Sequence, residues 1–151
     1  MEATIARKQP PTRTVRDETA AAAPSKAALR AGYAMSALVV LFLVFDSVGK
    51  FVAPPPVVEG TTALGYEVGH LLPLGAVLLA CTLLYAVPRT AVLGAVLLTG
   101  YLGGAVATHF RVGDPLPSHT LFPVYMGVLA WGGLWLREPR LRALLPLRRR
   151  P

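Results

Sequence analysis

Residues 91–110 read AVLGAVLLTGYLGGAVATHF, with no charged side chain and no histidine before His109. At 1.5 Å per residue a helix of this length measures about 30 Å, the thickness of the hydrocarbon core of a bilayer. No polar stripe runs along it, as a helix resting on a water-soluble core would require. The same character recurs on either side. Ala31 to Phe45 is apolar except for Ser36, and the run continues to Val52. Ala53-Pro54-Pro55-Pro56 then ends it, because consecutive prolines lack amide donors. A further run extends from Tyr66 to Val87, containing Glu67, His70, Pro73 and Thr82, and stops at Pro88-Arg89-Thr90. A last one follows Thr120, placed as a helix cap with Pro123 in the first turn, where a missing amide hydrogen costs little.

The pattern predicts an all-α fold, a four-helix transmembrane bundle with helices at about 31–52, 66–87, 91–110 and 120–137. Residues 53–65 and 111–119 read as loops. A membrane domain over 31–138 is flanked by a disordered basic tail at 1–30 and a second basic tail at 139–151. Composition excludes the soluble alternative: of 151 residues 54% are hydrophobic and 15% charged, against about 25% charged in soluble domains. A signal peptide in the first run is disfavoured by the length of the basic stretch before it.

A net charge of +7 would suggest nucleic acid, but the charges are segregated. Thirteen of the 15 basic residues precede the first run, follow the fourth, or lie at Arg89. In a four-span topology these share one face, so the positive-inside bias sets both termini in the cytoplasm, with no nucleic-acid partner. The single cysteine, Cys81, excludes a disulfide framework and a cysteine zinc site.

With that orientation Asp46, Lys50, Glu67, His70, His109 and Arg111 form one polar layer at the outer mouth, with Tyr101 beneath and Thr108 beside it. Asp46 and Lys50 are four apart and Glu67 and His70 three apart, spacings that place each pair on one helical face. Ionisable groups at membrane depth pair, meet water or serve a function, so the layer is read either as a ligand-binding or proton-handling site or as an ion-pair lock between helices. No HxxxH or HxxE spacing supports a metal, and no nucleophile with a recognisable base supports a stand-alone enzyme. Gly100 and Gly104 with Thr108, and Gly65 and Gly69 continued by Ala76 and Ala80, read as small-residue stripes that let helices approach.

The string from Gly100 to Pro115, GYLGGAVATHFRVGDP, resembles the third-helix signature of the DoxX-like family of small bacterial membrane proteins. Asp46 to Phe51, Gly65-Tyr66-Glu67 and Leu134 to Arg137 are similar to it as well. The resemblance covers about residues 31–138 and implies four membrane helices with cytoplasmic termini. Related DoxX and DoxD proteins are membrane subunits of oxidoreductase assemblies, including quinone-linked thiosulfate oxidation. The resemblance implies an accessory or redox-linked membrane subunit with an oxidoreductase partner, and the donors of the outer polar layer fit a quinone or another small headgroup. The alternative is a non-catalytic scaffold or a carrier of a small apolar solute. The residues themselves fix neither a cofactor nor an oligomeric state.

Overall fold

The computed structural model describes residues 24–139 and Leu141, and every regular element among them is helical. The tails expected at 1–30 and 139–151 fall mostly outside the described residues. Helix α1 spans Lys26–Val52, starting five residues before the apolar run. Ser25 caps it, its hydroxyl accepting from the Ala28 amide at 3.2 Å. Lys26 and Arg30 had hidden this turn from a reading based on hydropathy, although Ala27, Ala28 and Leu29 are strong helix formers. The helix ends where Ala53 adopts left-handed geometry (φ 49°) and donates to the Gly49 carbonyl.

The segment read as a loop after α1 is itself helical. Helix α2 occupies Pro55–Ala63, since proline is compatible with the first turn even though it ended the helix before. Gly65 (φ 82°) then reverses the chain. A 3-10 turn at Val68–His70 leads into α3, Leu71–Ala86. Helix α4 is Ala91–Val112, two residues longer than expected, and Gly113 (φ 78°) closes it. A π-helical turn at Leu116–Thr120 occupies part of the second expected loop, and α5 follows at Phe122–Arg137. Thr120 does not cap α5: its buried hydroxyl donates to the Asp114 carbonyl at 3.2 Å.

Three stretches, Lys26–Val52, Val68–Ala86 and Ala91–Val112, are long and apolar enough to cross a bilayer. With 16 residues α5 is shorter, about 24 Å. Helices α1 and α4 each pack against both α3 and α5, so α1 faces α4 across the molecule rather than beside it. Val39, Leu43, Leu78, Leu98, Ala130 and Leu134 meet in the middle. The outer surface is also apolar, with Leu41, Phe45, Leu72 and Val128 well exposed, as expected of a surface solvated by lipid.

The closest helix approaches are not at the expected stripes. A Cβ added to Gly133 would lie 2.6 Å from the Ser36 hydroxyl and 3.0 Å from the Gly32 carbonyl, which fixes the α1–α5 crossing. One added to Gly94 would lie 2.2 Å from the Tyr85 amide nitrogen, which fixes α3 on α4. By contrast, a Cβ at Gly69, Gly100 or Gly104 meets nothing within 4 Å, and Ala76 and Ala80 are exposed. The fully buried Tyr85 joins three helices: its hydroxyl donates to the Ala130 carbonyl (2.8 Å), so the Ser36 hydroxyl at 2.9 Å is the donor to it.

Candidate functional site

Because α1 faces α4 across the molecule, side chains from neither need fill the space between them at the end that carries α2. A cavity of about 530 Å³ lies there, within the size range of small-molecule sites. Helix α1 contributes Phe42, Leu43, Asp46 and Lys50; α4 contributes Gly100, Tyr101, Gly104, Ala105, Thr108 and His109. Pro56, Val57, Gly60, Thr61 and Leu64 line it from α2 and its end, and Phe122, Pro123 and Met126 from α5. The glycines at 100 and 104 thus widen a cavity wall rather than seat a neighbouring helix.

Polar groups sit at defined points on this mostly apolar lining. Lys50 Nζ donates to Asp46 Oδ1 at 2.6 Å, with 15% of the lysine side chain and 38% of the aspartate exposed. The pair lies within one turn of α1, as its spacing predicted. On α4, the Thr108 hydroxyl donates to the Gly104 carbonyl at 2.9 Å, so the Tyr66 hydroxyl at 3.1 Å donates to Thr108. That bond ties the start of the α3 segment to α4. Tyr101 lines the cavity half-buried, and its hydroxyl makes no hydrogen bond among the described residues.

His109 Nδ1 lies 2.6 Å from Asp114 Oδ2. An ionised carboxylate only accepts, so this bond assigns the proton to Nδ1 and leaves Nε2 as the ring nitrogen with no protein partner set by it. Asp114 orients the ring much as a carboxylate orients a catalytic or metal-bound imidazole. The His119 ring is 6.1 Å from that of His109, outside the cavity wall.

The expected polar layer therefore divides. Asp46, Lys50, Tyr101, Thr108 and His109 share one cavity. Glu67, His70 and Arg111 are exposed and do not line it. Glu67 and His70 close the 3-10 turn on each other, the Glu67 amide donating to His70 Nδ1 at 3.1 Å. Arg111 reaches back to donate to the Leu64 carbonyl at 2.7 Å, its guanidinium against Gly65.

The sequence model of the DoxX-like family matches residues 34–133. The chain belongs to the DoxX-like family. The match takes in the whole of α2, α3 and α4, most of α1 and α5, and every residue of the cavity wall. No curated protein and no solved structure gives a significant match. Family membership and the three long apolar helices together make this DoxX-like chain a membrane protein.

Sequence reasoning did not find several participants. Asp114 is one of them, because five residues apart along a helix end is not a spacing that declares a pair with His109. Tyr66 and the inner face of α2 carry no signal that they face a cavity on another helix. Gly100 and Gly104 did carry one, read as packing.

Proposed function

We propose that this DoxX-like protein is a four-helix bundle of the bacterial cytoplasmic membrane, with both termini in the cytoplasm, serving as an accessory, redox-linked subunit. Its outward cavity receives the polar headgroup of a small ligand. The observation that carries this reading is the cavity itself: acid–base pair, phenol and carboxylate-oriented imidazole on apolar walls.

The short α5 is compatible with a fourth crossing, because a mismatch of several ångströms is met by bilayer thinning at fractions of a kcal/mol per Å. Arg137 supports the orientation. Its guanidinium stacks over the rings of Tyr33 and Tyr85, at 5.6 and 5.5 Å, holding a cation at the end of the molecule opposite α2. That is where the positive-inside bias puts basic residues.

A quinone fits the donor set, and when bound it would supply two-electron redox chemistry. Lys50 and Tyr101 are the groups that would donate to its ring oxygens, while Asp114, by accepting the His109 Nδ1 proton, leaves Nε2 of His109 as the acceptor that would take a proton there. Asp46 keeps the Lys50 ammonium neutralised within the wall, so no net charge is stranded there. The same geometry weighs against a charged layer whose task is to lock helices. The Asp46–Lys50 pair lies within α1 and the His109–Asp114 pair within α4 and the turn after it, so neither joins two spanning helices.

The test is purification in mild detergent followed by native mass spectrometry. A bound molecule retained by the native chain and lost in Gly104→Leu, which adds a side chain to the cavity wall at a position whose Cβ meets nothing within 4 Å, is the expected result. A native chain that carries lipid at random and no defined ligand refutes the proposal.

A further inference from the structure

We infer that the cavity is loaded sideways from the bilayer, through the seam between α1 and α5, and that its occupant is an uncharged-headed amphiphile with a hydrocarbon tail. The inference rests on the cavity reading above and names the class of molecule it takes.

Two side chains of the cavity wall meet across the α1–α5 seam. Phe42 of α1 and Phe122 of α5 both line the cavity, and each is 38% exposed. Their rings meet at 5.1 Å with a tilt of 59°. Toward the other end the same helices are held rigidly by Gly32, Ser36 and Gly133. The seam is thus backbone-tight at one end and closed by two rotatable rings at the other. Leu38 and Phe45, one turn before and after Phe42 on the same face, are 58% and 76% exposed and continue an apolar track away from it.

The other approach is covered. Five residues from Pro56 to Leu64 line the cavity from the α2 side, and that segment is fastened to α4 by the Tyr66–Thr108 and Arg111–Leu64 bonds. Opening it breaks hydrogen bonds, whereas the Phe42–Phe122 ring contact in the seam yields by rotamer changes. The charge balance points the same way. Asp46 and Lys50 neutralise each other and the Asp114 carboxylate is not part of the lining, so the wall offers hydrogen bonds to a head without net charge.

The protein is reconstituted in phosphatidylethanolamine–phosphatidylglycerol vesicles. A long-chain alkylphenol carrying a diazirine and its tail-less, water-soluble phenol counterpart are photolysed in turn. Adducts on residues 100–109 are mapped by mass spectrometry. The alkylphenol is expected to label this segment at least about tenfold more than the phenol, the contribution of the buried tail. Phe42→Ala with Phe122→Ala is expected to speed its arrival several-fold, and Phe42→Trp to slow it. Seam variants that leave the alkylphenol unaffected overturn the inference. So does phenol labelling that equals it and rises when Arg111→Met releases Leu64, since the route is then aqueous. Labelling by neither probe refutes the cavity as a site, and with it the proposed function.

Discussion

The contrast between Gly94 and Gly104 gives the sharpest test of the packing. Both sit in α4, and Gly→Ala in a helix interior gains about 1 kcal/mol in propensity. At Gly94 the new methyl would stand 2.2 Å from the Tyr85 nitrogen, 2.4 Å from its Cα and 2.6 Å from the Leu84 carbonyl carbon. All three are backbone atoms that no rotamer change can move, so α3 and α4 must separate by on the order of 1 Å to reach ordinary contact. Overpacking of this kind costs about 3 kcal/mol or more, which outweighs the propensity gain. The net loss of about 2 kcal/mol is roughly a thirtyfold fall in the folded-to-unfolded ratio. It also strains Tyr85, whose hydroxyl links α1 and α5. At Gly104 nothing lies within 4 Å, so the propensity gain stands alone and Gly104→Ala is neutral or stabilising. Both variants and the native chain are unfolded by titrating dodecyl sulfate into mixed micelles, with helicity as the readout. Equal midpoints for Gly94→Ala and Gly104→Ala, or a lower one for Gly104→Ala, would refute the packing described here.

Tyr85→Phe is expected to cost about 1 kcal/mol in the same titration, the range for interhelical hydrogen bonds in bilayers; additivity with Ser36→Ala would show that the 2.9 Å contact carries no coupling. Gly133→Ala should destabilise by about 1–3 kcal/mol, because its Cβ meets Ser36 and Gly32; an unchanged midpoint counts against the α1–α5 crossing. Arg111→Met should speed hydrogen exchange in residues 55–66 by about tenfold or less, the scale of one exposed charge-assisted bond; unchanged exchange shows that the Leu64 bond fastens nothing. Reporter fusions at the two ends should both read cytoplasmic, and opposite faces would dissolve the outward cavity.

What could be read directly was whatever depends on the chain locally. Hydropathy over twenty residues reports transfer into hydrocarbon whichever neighbours a helix later finds, so the apolar stretches 31–52 and 91–110 were legible. The Asp46–Lys50 pair was legible for the same reason, since four residues on one helix meet by geometry alone. The boundaries were less so. Lys26 and Arg30 masked a turn of α1, and three prolines that end one helix also begin the next.

The sequence by itself thus determined that these are apolar helices of a DoxX-like membrane protein, and which polar residues gather near one end. Only the tertiary structure decided which of them share a cavity. Asp46 and His109 come together because α1 and α4 face each other across α3 and α5, while Glu67 and Arg111, in the same layer along the chain, are exposed and take no part in its wall. It also gave the glycines their parts: Gly94 and Gly133 bring backbones into contact, whereas Gly100 and Gly104 leave room. A missing side chain reads the same in both cases, and its meaning is set by the atoms of other helices that do or do not stand opposite it.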